Sequence, residues 1–229
     1  MNIKWNNSTL FSKGIVVEKV PVITKAKKRY KTYDVEGRNG NLVIDEGTYD
    51  TFVCSLTCHF NTSYSIDEIK SFLDGYGVLS LDGVREYQAI VDNQIDFEDI
   101  DRSGFKKFLI QFLCQPIAHE IDSSIYNIVG VNPARMNIEQ TANAYPVLTI
   151  KGSGDVTITF NGKQFNLYGL ESTKTYTLDC EAKEIYDNNG NNCSNMMRYD
   201  FPYIIPGFNE ITYTGTLTQF KIEFHKAFI

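Results

Sequence analysis

The sequence predicts a mainly β protein with a single helix, and three observations support this fold class. The chain of 229 residues contains 14 Tyr and 15 Phe, and these side chains favour half-buried strands. Apolar and polar residues alternate with period two in many segments, whereas helical spacing is clear only after Ser65. The dipeptides Asp82-Gly83 and Asn161-Gly162 are typical of tight turns between antiparallel strands.

The first predicted hairpin lies close to the N-terminus. Its strands are TYDV at 32–35 and NLVI at 41–44, and its turn is GRNG at 37–40. A long strand is predicted to follow over residues 48–60. Alternate apolar residues of that strand fall on one face: Phe52, Cys54, Leu56, Cys58 and Phe60.

One helix is predicted after Ser65, which can cap its first turn. Glu68 stands three residues later and completes a capping box. Apolar residues at helical spacing form one stripe, and they are Ile66, Ile69, Phe72 and Leu73. Gly75 fits the C-terminal stop. An amphipathic helix packed on the core accounts for all of these features.

The region between the helix and the second half of the chain contains a turn, a loop and a strand. Asp82-Gly83 joins two short strands. The acidic segment 92–104 lacks the central glycine and terminal glutamate of an EF-hand calcium loop, so a solvated loop is expected. Residues 105–121 fit either a helix or a strand. We predict a strand that is buried on both faces and closed by Pro116.

The C-terminal part carries the most complete local pattern. A two-residue turn at Asn161-Gly162 pairs Ile158 with Phe165 and Val156 with Leu167. Both apolar pairs then fall on one face and the polar residues fall on the other. Pattern and turn therefore agree on a half-buried hairpin.

Further strands predict a second domain without helices. They lie within residues 175–192, 206–215 and 220–228. Since no helical signal follows residue 147, a β-sandwich is expected here. The looser stretch before it places the boundary near residue 135, which gives 1–135 and 136–229 as the two domains.

The charge balance argues against several classes of partner. The net charge is −6 with no acidic or basic tail, so a broad nucleic-acid-binding face is not supported. The one basic cluster, KAKKRYK at 25–31, could contact an anionic partner, but a solvated strand face is the preferred interpretation. No apolar run approaches the roughly 20 residues of a membrane helix. The N-terminus lacks the apolar core of a signal peptide, so synthesis and retention in a cytoplasm are expected.

No motif in the sequence performs recognisable chemistry. His59, His119 and His225 are far apart and share no metal-ligand spacing. The cysteines number five and are scattered, which favours buried free thiols over a disulfide framework. We therefore expect no enzymatic activity, no metal site and no cofactor.

A sugar-binding site would need an aromatic platform. Trp5 is the only tryptophan and lies well outside the predicted sandwich. Four tyrosines of the C-terminal part could take its place: Tyr176, Tyr186, Tyr199 and Tyr213. Carbohydrate binding is therefore an open alternative.

Several segments, taken in order, resemble the distal tail proteins of long-tailed, non-contractile phages and prophages of Gram-positive bacteria. In the N-terminal part they are the GRNG hairpin, GTYDTFVCSLTCHF, SIDEIKSFL, REYQAIV and FKKFLIQFLCQPI. In the C-terminal part they are VTITFNGKQFNL, LDCEAKEIYD and FPYIIPGFNEITY. Together they span nearly the whole chain, and their order and spacing carry the resemblance.

The resemblance implies a structural phage protein with two domains. Residues 1–135 would be a tail-tube-like, ring-forming β domain, and residues 136–229 a galectin-like β-sandwich. Six copies would close a homohexameric hub ring at the tail tip of the virion, after synthesis in the bacterial host cytoplasm. The chain has no room for the carbohydrate-binding insertions of some family members.

The same resemblance implies the partners. The ring would join the tail-tube protein on one side to the tail-associated lysin or hub protein on the other. DNA would pass through the ring without specific binding, and the sandwiches would dock a receptor-binding protein. The alternative function is a carbohydrate-binding adhesin that acts through the C-terminal sandwich.

The GRNG turn supplies the candidate site residues. A closed ring of identical subunits uses two different patches on each subunit, and a projecting hairpin would be one such patch. Arg38 suits it, because the guanidinium group can make paired hydrogen bonds to a neighbour's carboxylate or carbonyl groups. Gly37 and Gly40 would allow the backbone geometry. The simpler alternative is that Arg38 only points into solvent.

Overall fold

The computed structural model describes residues 3–22, 24–100 and 104–229, and the chain divides into two compact units. Unit 1 extends to Ala118, and unit 2 comprises His119–Phe228. The division lies upstream of the predicted boundary near residue 135. The reason is that Glu120 and Ser123 already contact the last strand of the chain. Both units consist mainly of antiparallel strands, which confirms the predicted fold class.

The described residues of unit 1 form one α-helix, one short 3₁₀ helix and ten strands, of which the last continues into unit 2. In chain order they are β1 (Lys4–Trp5), β2 (Ser8–Thr9), η1 (Leu10–Lys13), β3 (Val16–Val17), β4 (Lys28–Tyr33), β5 (Leu42–Tyr49), β6 (Phe52–Asn61), α1 (Ile66–Phe72), β7 (Tyr76–Ser80), β8 (Arg85–Val91), β9 (Glu98–Ile100) and β10 (Phe105–Asn127). In the described part of the chain, no helix has the length and apolar character to cross a membrane.

The sheet of unit 1 runs in the order β10-β8-β7-β1-β2, and β6 pairs with β10 on the other side. Its core is aromatic. Trp5 is fully buried, with its ring centroid 5.0 Å from that of Phe112. Phe60, Phe97 and Phe108 pack edge-to-face or tilted beside them. Trp5 therefore packs into the core of unit 1.

The β6–β10 pair shows which sequence expectations hold and which do not. On β6 the predicted face is buried at Cys54, Leu56, Cys58 and Phe60. The predicted strand over 48–60 is broken, however, because Thr48 and Tyr49 belong to β5 and Asp50 closes the hairpin through its N–H to the carbonyl of Lys27, 2.8 Å away. The predicted buried face is therefore confirmed for β6 alone, and residues 48–51 do not extend it.

Strand β10 differs from its prediction in two respects. It is buried on one face only, since Ile110 is inaccessible whereas Leu109 is exposed. It also continues past Pro116 to Asn127. Pro116 is tolerated because the ladder with β6 ends at the Cys114–Phe52 pair, so a missing N–H breaks no bond of that ladder.

The predicted helix and the acidic loop are found with changes. Helix α1 begins after Ser65 as predicted, but the Ser65 side chain makes no capping hydrogen bond, so the capping box is absent. Buried Ile69 and Leu73 fix its apolar face. The acidic segment contains β9, which pairs with the start of β10. Residues 101–103 of that segment lie outside the described residues.

Unit 2 contains seven strands besides the end of β10. They are β11 (Ala134–Ile138), β12 (Val147–Phe160), β13 (Lys163–Leu170), β14 (Tyr176–Asp179), β15 (Glu184–Asp187), β16 (Met197–Arg198) and β17 (Gly207–Phe228), with a 3₁₀ turn η2 at Ser194–Met196. One layer has the order β15-β14-β12-β17-β10, and the other has β16-β13-β12-β17-β11. Strands β12 and β17 are thus shared by both layers, which yields the predicted sandwich.

The hairpin of β12 and β13 agrees with the sequence prediction pair by pair. Ile158 lies opposite Phe165, and Val156 lies opposite Leu167. All four side chains are buried. The turn residue Asn161 has a φ of 48°, which fits a mirror-image hairpin turn.

Strand β17 is one strand of 22 residues, where two short segments were expected. Its continuity depends on Gly215, with a φ of 102°, beside the register shifts that bend β12 after Lys151. A strand can change sheets at such an irregularity. The alternation of buried residues changes phase across this bend, from the odd positions Asn209 and Ile211 to the even positions Phe220, Ile222 and Phe224.

Candidate assembly interface

Strands β4 and β5 form a separate two-stranded sheet, which we call the arm (residues 28–49). No other strand of the described chain pairs with it. All six residues of β4 are exposed, and seven of the eight residues of β5 are exposed. An isolated hairpin is marginally stable in water, so an arm without cover is expected to find a partner surface.

Apolar side chains lie on both faces of the arm. The register places Tyr33 opposite Leu42 and Lys31 opposite Ile44, so Tyr33, Leu42 and Ile44 share one face. Tyr30 and Val43 lie on the other face, where Val43 is 59% exposed. The side chain of Ile44 is 48% exposed. Both faces therefore present apolar area that a neighbouring molecule could bury.

Ion pairs across the arm hold its two strands in register. Lys31 Nζ lies 3.0 Å from Glu46 Oε1, and Lys28 contacts Asp45. The contact with Lys28 is the main cause that holds the pKa of Asp45 below its ordinary value. Within the basic cluster at 25–31, Lys28 and Lys31 are therefore paired with acidic residues of β5, and Arg29 is paired with Asp50. These exposed pairs agree with the solvated strand face predicted for the cluster.

The predicted site residues lie at the tip of the arm. Gly37 and Gly40 have φ angles of 78° and 75°, a region that favours glycine. The Arg38 N–H donates to the carbonyl of Val35 at 3.1 Å. The Arg38 side chain is exposed and makes no hydrogen bond or ion pair with the described part of the chain. Its guanidinium group is thus available to a second molecule.

The tip is wider than predicted, and the sequence reasoning missed most of the exposed apolar residues. Strand pairing ends at Tyr33 and Leu42, so the connection spans residues 34–41 where a four-residue turn was expected. The missed signal was the presence of apolar residues at both even and odd positions of Leu42–Ile44. Such a pattern fits a ribbon that is covered on both faces.

The histidines do not converge into a site. His59 Nδ1 lies 3.4 Å from Glu18 Oε1, and His225 Nδ1 lies 2.8 Å from the carbonyl oxygen of Glu120. Among the described residues, no group of three or more His, Cys, Asp or Glu side chains could hold a metal ion.

The cysteines are free thiols, and four of the five are buried. Burial raises the pKa of Cys54 to about 11 and that of Cys114 to about 12. A thiol with so high a pKa is a poor nucleophile. The four buried cysteines therefore act as small apolar core residues, as the sequence indicates.

The four candidate tyrosines differ in their exposure. Tyr176 is buried, and its hydroxyl accepts from the Glu171 N–H at 3.2 Å. Tyr213 accepts from the Gly130 N–H at 3.3 Å. Tyr199 is 71% exposed and is the most accessible of the four.

Comparison with known proteins relates the chain to solved structures only. No protein-family model and no curated protein sequence matches it. The crystal structure of the SPP1 Dit (gp 19.1) protein is described as a paradigm of the hub adsorption apparatus in phages that infect Gram-positive bacteria. It superposes with a TM-score of 0.78 at 13% identity, over 100% of this chain and 99% of Dit.

Two structures of the phage P2 baseplate in its activated conformation match more loosely. The structure with Ca has a TM-score of 0.48 at 7% identity, over 95% of this chain and 92% of the other. The structure with Sr has a TM-score of 0.45 at 10% identity, over 94% and 92%. These scores establish no common fold. The chain shares the fold of the SPP1 Dit protein over its whole length.

Proposed function

We propose that this chain is a structural hub protein of a phage tail tip. The observation that carries the proposal is the whole-length match to SPP1 Dit, at a TM-score of 0.78. A fold alone does not fix a function. The arm supplies a second, independent reason, because a hub must associate with other copies and the arm is built for contact.

The arm would form the contact between neighbouring subunits of the ring. In a cyclic assembly one patch of each subunit meets a different patch of the next, and the ring closes when the rotations sum to a full turn. The arm would be the first patch, with its apolar faces buried on the neighbour and Arg38 bound to acceptors there. Six copies are the number implied by the family that the sequence resembles.

The two units would take different roles in the ring. Unit 1 would be the ring-forming domain, and unit 2 the galectin-like sandwich that docks a receptor-binding protein. One side of the ring would meet the tail-tube protein, and the other would meet the tail-associated lysin or hub protein. The proposed place is the tip of the virion tail, with assembly in the cytoplasm of the bacterial host.

The ring would let DNA pass without binding it. A net charge of −6 per chain favours repulsion of the phosphate backbone over capture. The proposed role is structural, and it involves no covalent change in any substrate.

Imaging of the purified full-length chain tests the proposal. Negative-stain micrographs should show closed rings with a central channel and sixfold averages. Particles with a different rotational symmetry would correct the copy number and keep the ring. A field of single, unassociated particles at micromolar concentration would overturn the proposal.

A further inference from the structure

A groove in unit 2 lies outside the arm and takes no part in the ring proposed above. It has a volume of about 480 Å³ and is bordered by the β12–β13 hairpin and residues 199–205. This volume falls within the range of small-ligand sites. Its floor includes Phe160 and Phe165, which are 2% and 1% exposed, so the groove has a fixed apolar base.

The rim of the groove carries an exposed aromatic ring. Tyr199 lines the groove and is 71% exposed, although an aromatic side chain gains free energy from burial. Its backbone has a φ of 76°, a conformation that is uncommon for residues other than glycine. Such conformations persist only where the surrounding structure imposes them, and they cluster at ligand sites.

Polar groups that also line the groove have hydrogen-bonding atoms without a partner in the described part of the chain. The carboxylate of Asp200 makes no hydrogen bond with the described part of the chain. Gln164 donates from Nε2 to Asn166 Oδ1 at 3.0 Å and leaves its amide oxygen without a donor among the described residues. Lys163 Nζ is held 2.7 Å from the hydroxyl of Tyr203.

We propose that this groove binds a neutral saccharide, with one pyranose ring stacked on Tyr199 and its hydroxyl groups bonded to Asp200 and Gln164. A pyranose ring has an apolar C–H face and a rim of hydroxyl groups that both donate and accept. An exposed aromatic face beside an unpaired carboxylate and amide matches both features.

The charges of the groove favour a neutral ligand over a phosphorylated one and do not provide the carboxyl pair of a glycoside hydrolase. Among the described lining residues Lys163 is the only cation, and Asp200 offsets its charge, so a phosphate would find no cluster of donors. Asp200 is also the only carboxylate in the described lining. Since glycoside hydrolysis ordinarily uses two carboxyl groups, the groove binds a saccharide without cleaving it.

Titration of the full-length chain with lactose, maltose and chitotriose tests the proposal, with binding followed by calorimetry and by NMR shifts. At least one probe should bind saturably, with a Kd of about millimolar strength. Tyr199→Phe should retain binding because it keeps the ring. Tyr199→Ala and Asp200→Ala should each weaken binding roughly tenfold or more.

The matched control is Phe208→Ala, which removes an exposed aromatic side chain of unit 2 outside the groove and should leave binding unchanged. If Tyr199→Ala fails to fold, the saccharide binding of the Asp200→Ala variant decides whether the groove is the binding site. The proposal is overturned if no probe binds at about 20 mM, a concentration above the Kd expected of a weak site. It is also overturned if both alanine variants bind like the parent chain. Ring formation by the same samples reports on the proposed function separately.

Discussion

At the residue scale, the proposed contact between the arm and a neighbouring copy depends most on Arg38. Arg38 is the one guanidinium group at the tip of the arm, and its side chain has no partner in the described chain. The sequence identified this residue because an arginine inside a glycine turn is unusual for a simple strand reversal. It could not identify Tyr33 or Ile44, because their exposure depends on the absence of any third strand beside the arm.

Removing the Arg38 side chain should weaken association and leave the subunit intact. For Arg38→Ala we expect the concentration at half-assembly to rise at least about tenfold, as for a central interface arginine. Analytical ultracentrifugation over a concentration series measures this shift. Arg198→Ala removes an exposed arginine of unit 2 and should assemble like the parent chain. Equal assembly of both variants would contradict the interface role of Arg38.

Glu18 is expected to make the stability of unit 1 slightly dependent on pH, and the sign of this dependence follows from the shift of its pKa. Its Oε2 lies 2.8 Å from Lys107 Nζ, and this contact is the first cause that lowers the pKa of Glu18 below 4.5. Because the pKa of Glu18 is lower in the folded state than in the unfolded state, its carboxylate stabilises the fold at pH values above the unfolded-state pKa. This contribution is lost as the pH falls through the folded-state pKa. The effect should be under about 1 kcal/mol, because both groups are partly solvated.

Urea unfolding of Lys107→Met and the parent chain checks this sign. The free energy of unfolding should differ between the two proteins at about pH 7. The difference should be smaller at about pH 4, because Glu18 is then already partly protonated in the unfolded state. Lys107→Arg keeps a cation and should retain most of the pH dependence. A difference that is the same at both pH values would show that Lys107 acts through packing alone.

At the scale of elements, local pattern and turn chemistry predicted the hairpins well, and long strands poorly. The β12–β13 register followed from Asn161-Gly162 and from alternation, because both act within a few residues. The continuity of β17 and the bend of β12 depend on pairing between distant segments. A single sequence carries no record of that pairing.

The bend of the sandwich should depend on Gly215. A Cβ at this position would lie 2.6 Å from the carbonyl oxygen of Asp155, and its φ is 102°. Gly215→Ala should therefore destabilise the chain by about 2–3 kcal/mol, from backbone strain and from the clash. The measurement is the urea midpoint.

Gly154→Ala is the matched control for this prediction. Gly154 has a φ of 74° and open space around its Cβ position, so only strain of about 1 kcal/mol is expected. If the two alanine variants have equal urea midpoints, the close contact between Gly215 and the backbone of Asp155 is not what maintains the bend.

At the scale of the whole molecule, the sequence predicted the mainly β class, the single α-helix and the C-terminal sandwich. It placed the division near residue 135, whereas the compact units divide after Ala118. The cause is β10, which serves both units and therefore shows no change of composition at the division. The resemblance to distal tail proteins agrees with the fold shared with SPP1 Dit.

The central claim is that copies of this chain associate through the arm, and native mass spectrometry tests it most directly. The parent chain should appear at six times the mass of one chain. The double variant Tyr33→Ser/Ile44→Ser removes exposed apolar area from one face of the arm, so it should appear as a folded monomer. Tyr168→Ser/Val129→Ser changes exposed residues of unit 2 and should remain hexameric. A monomeric parent chain, or an arm variant that still forms the six-copy species, would contradict the account.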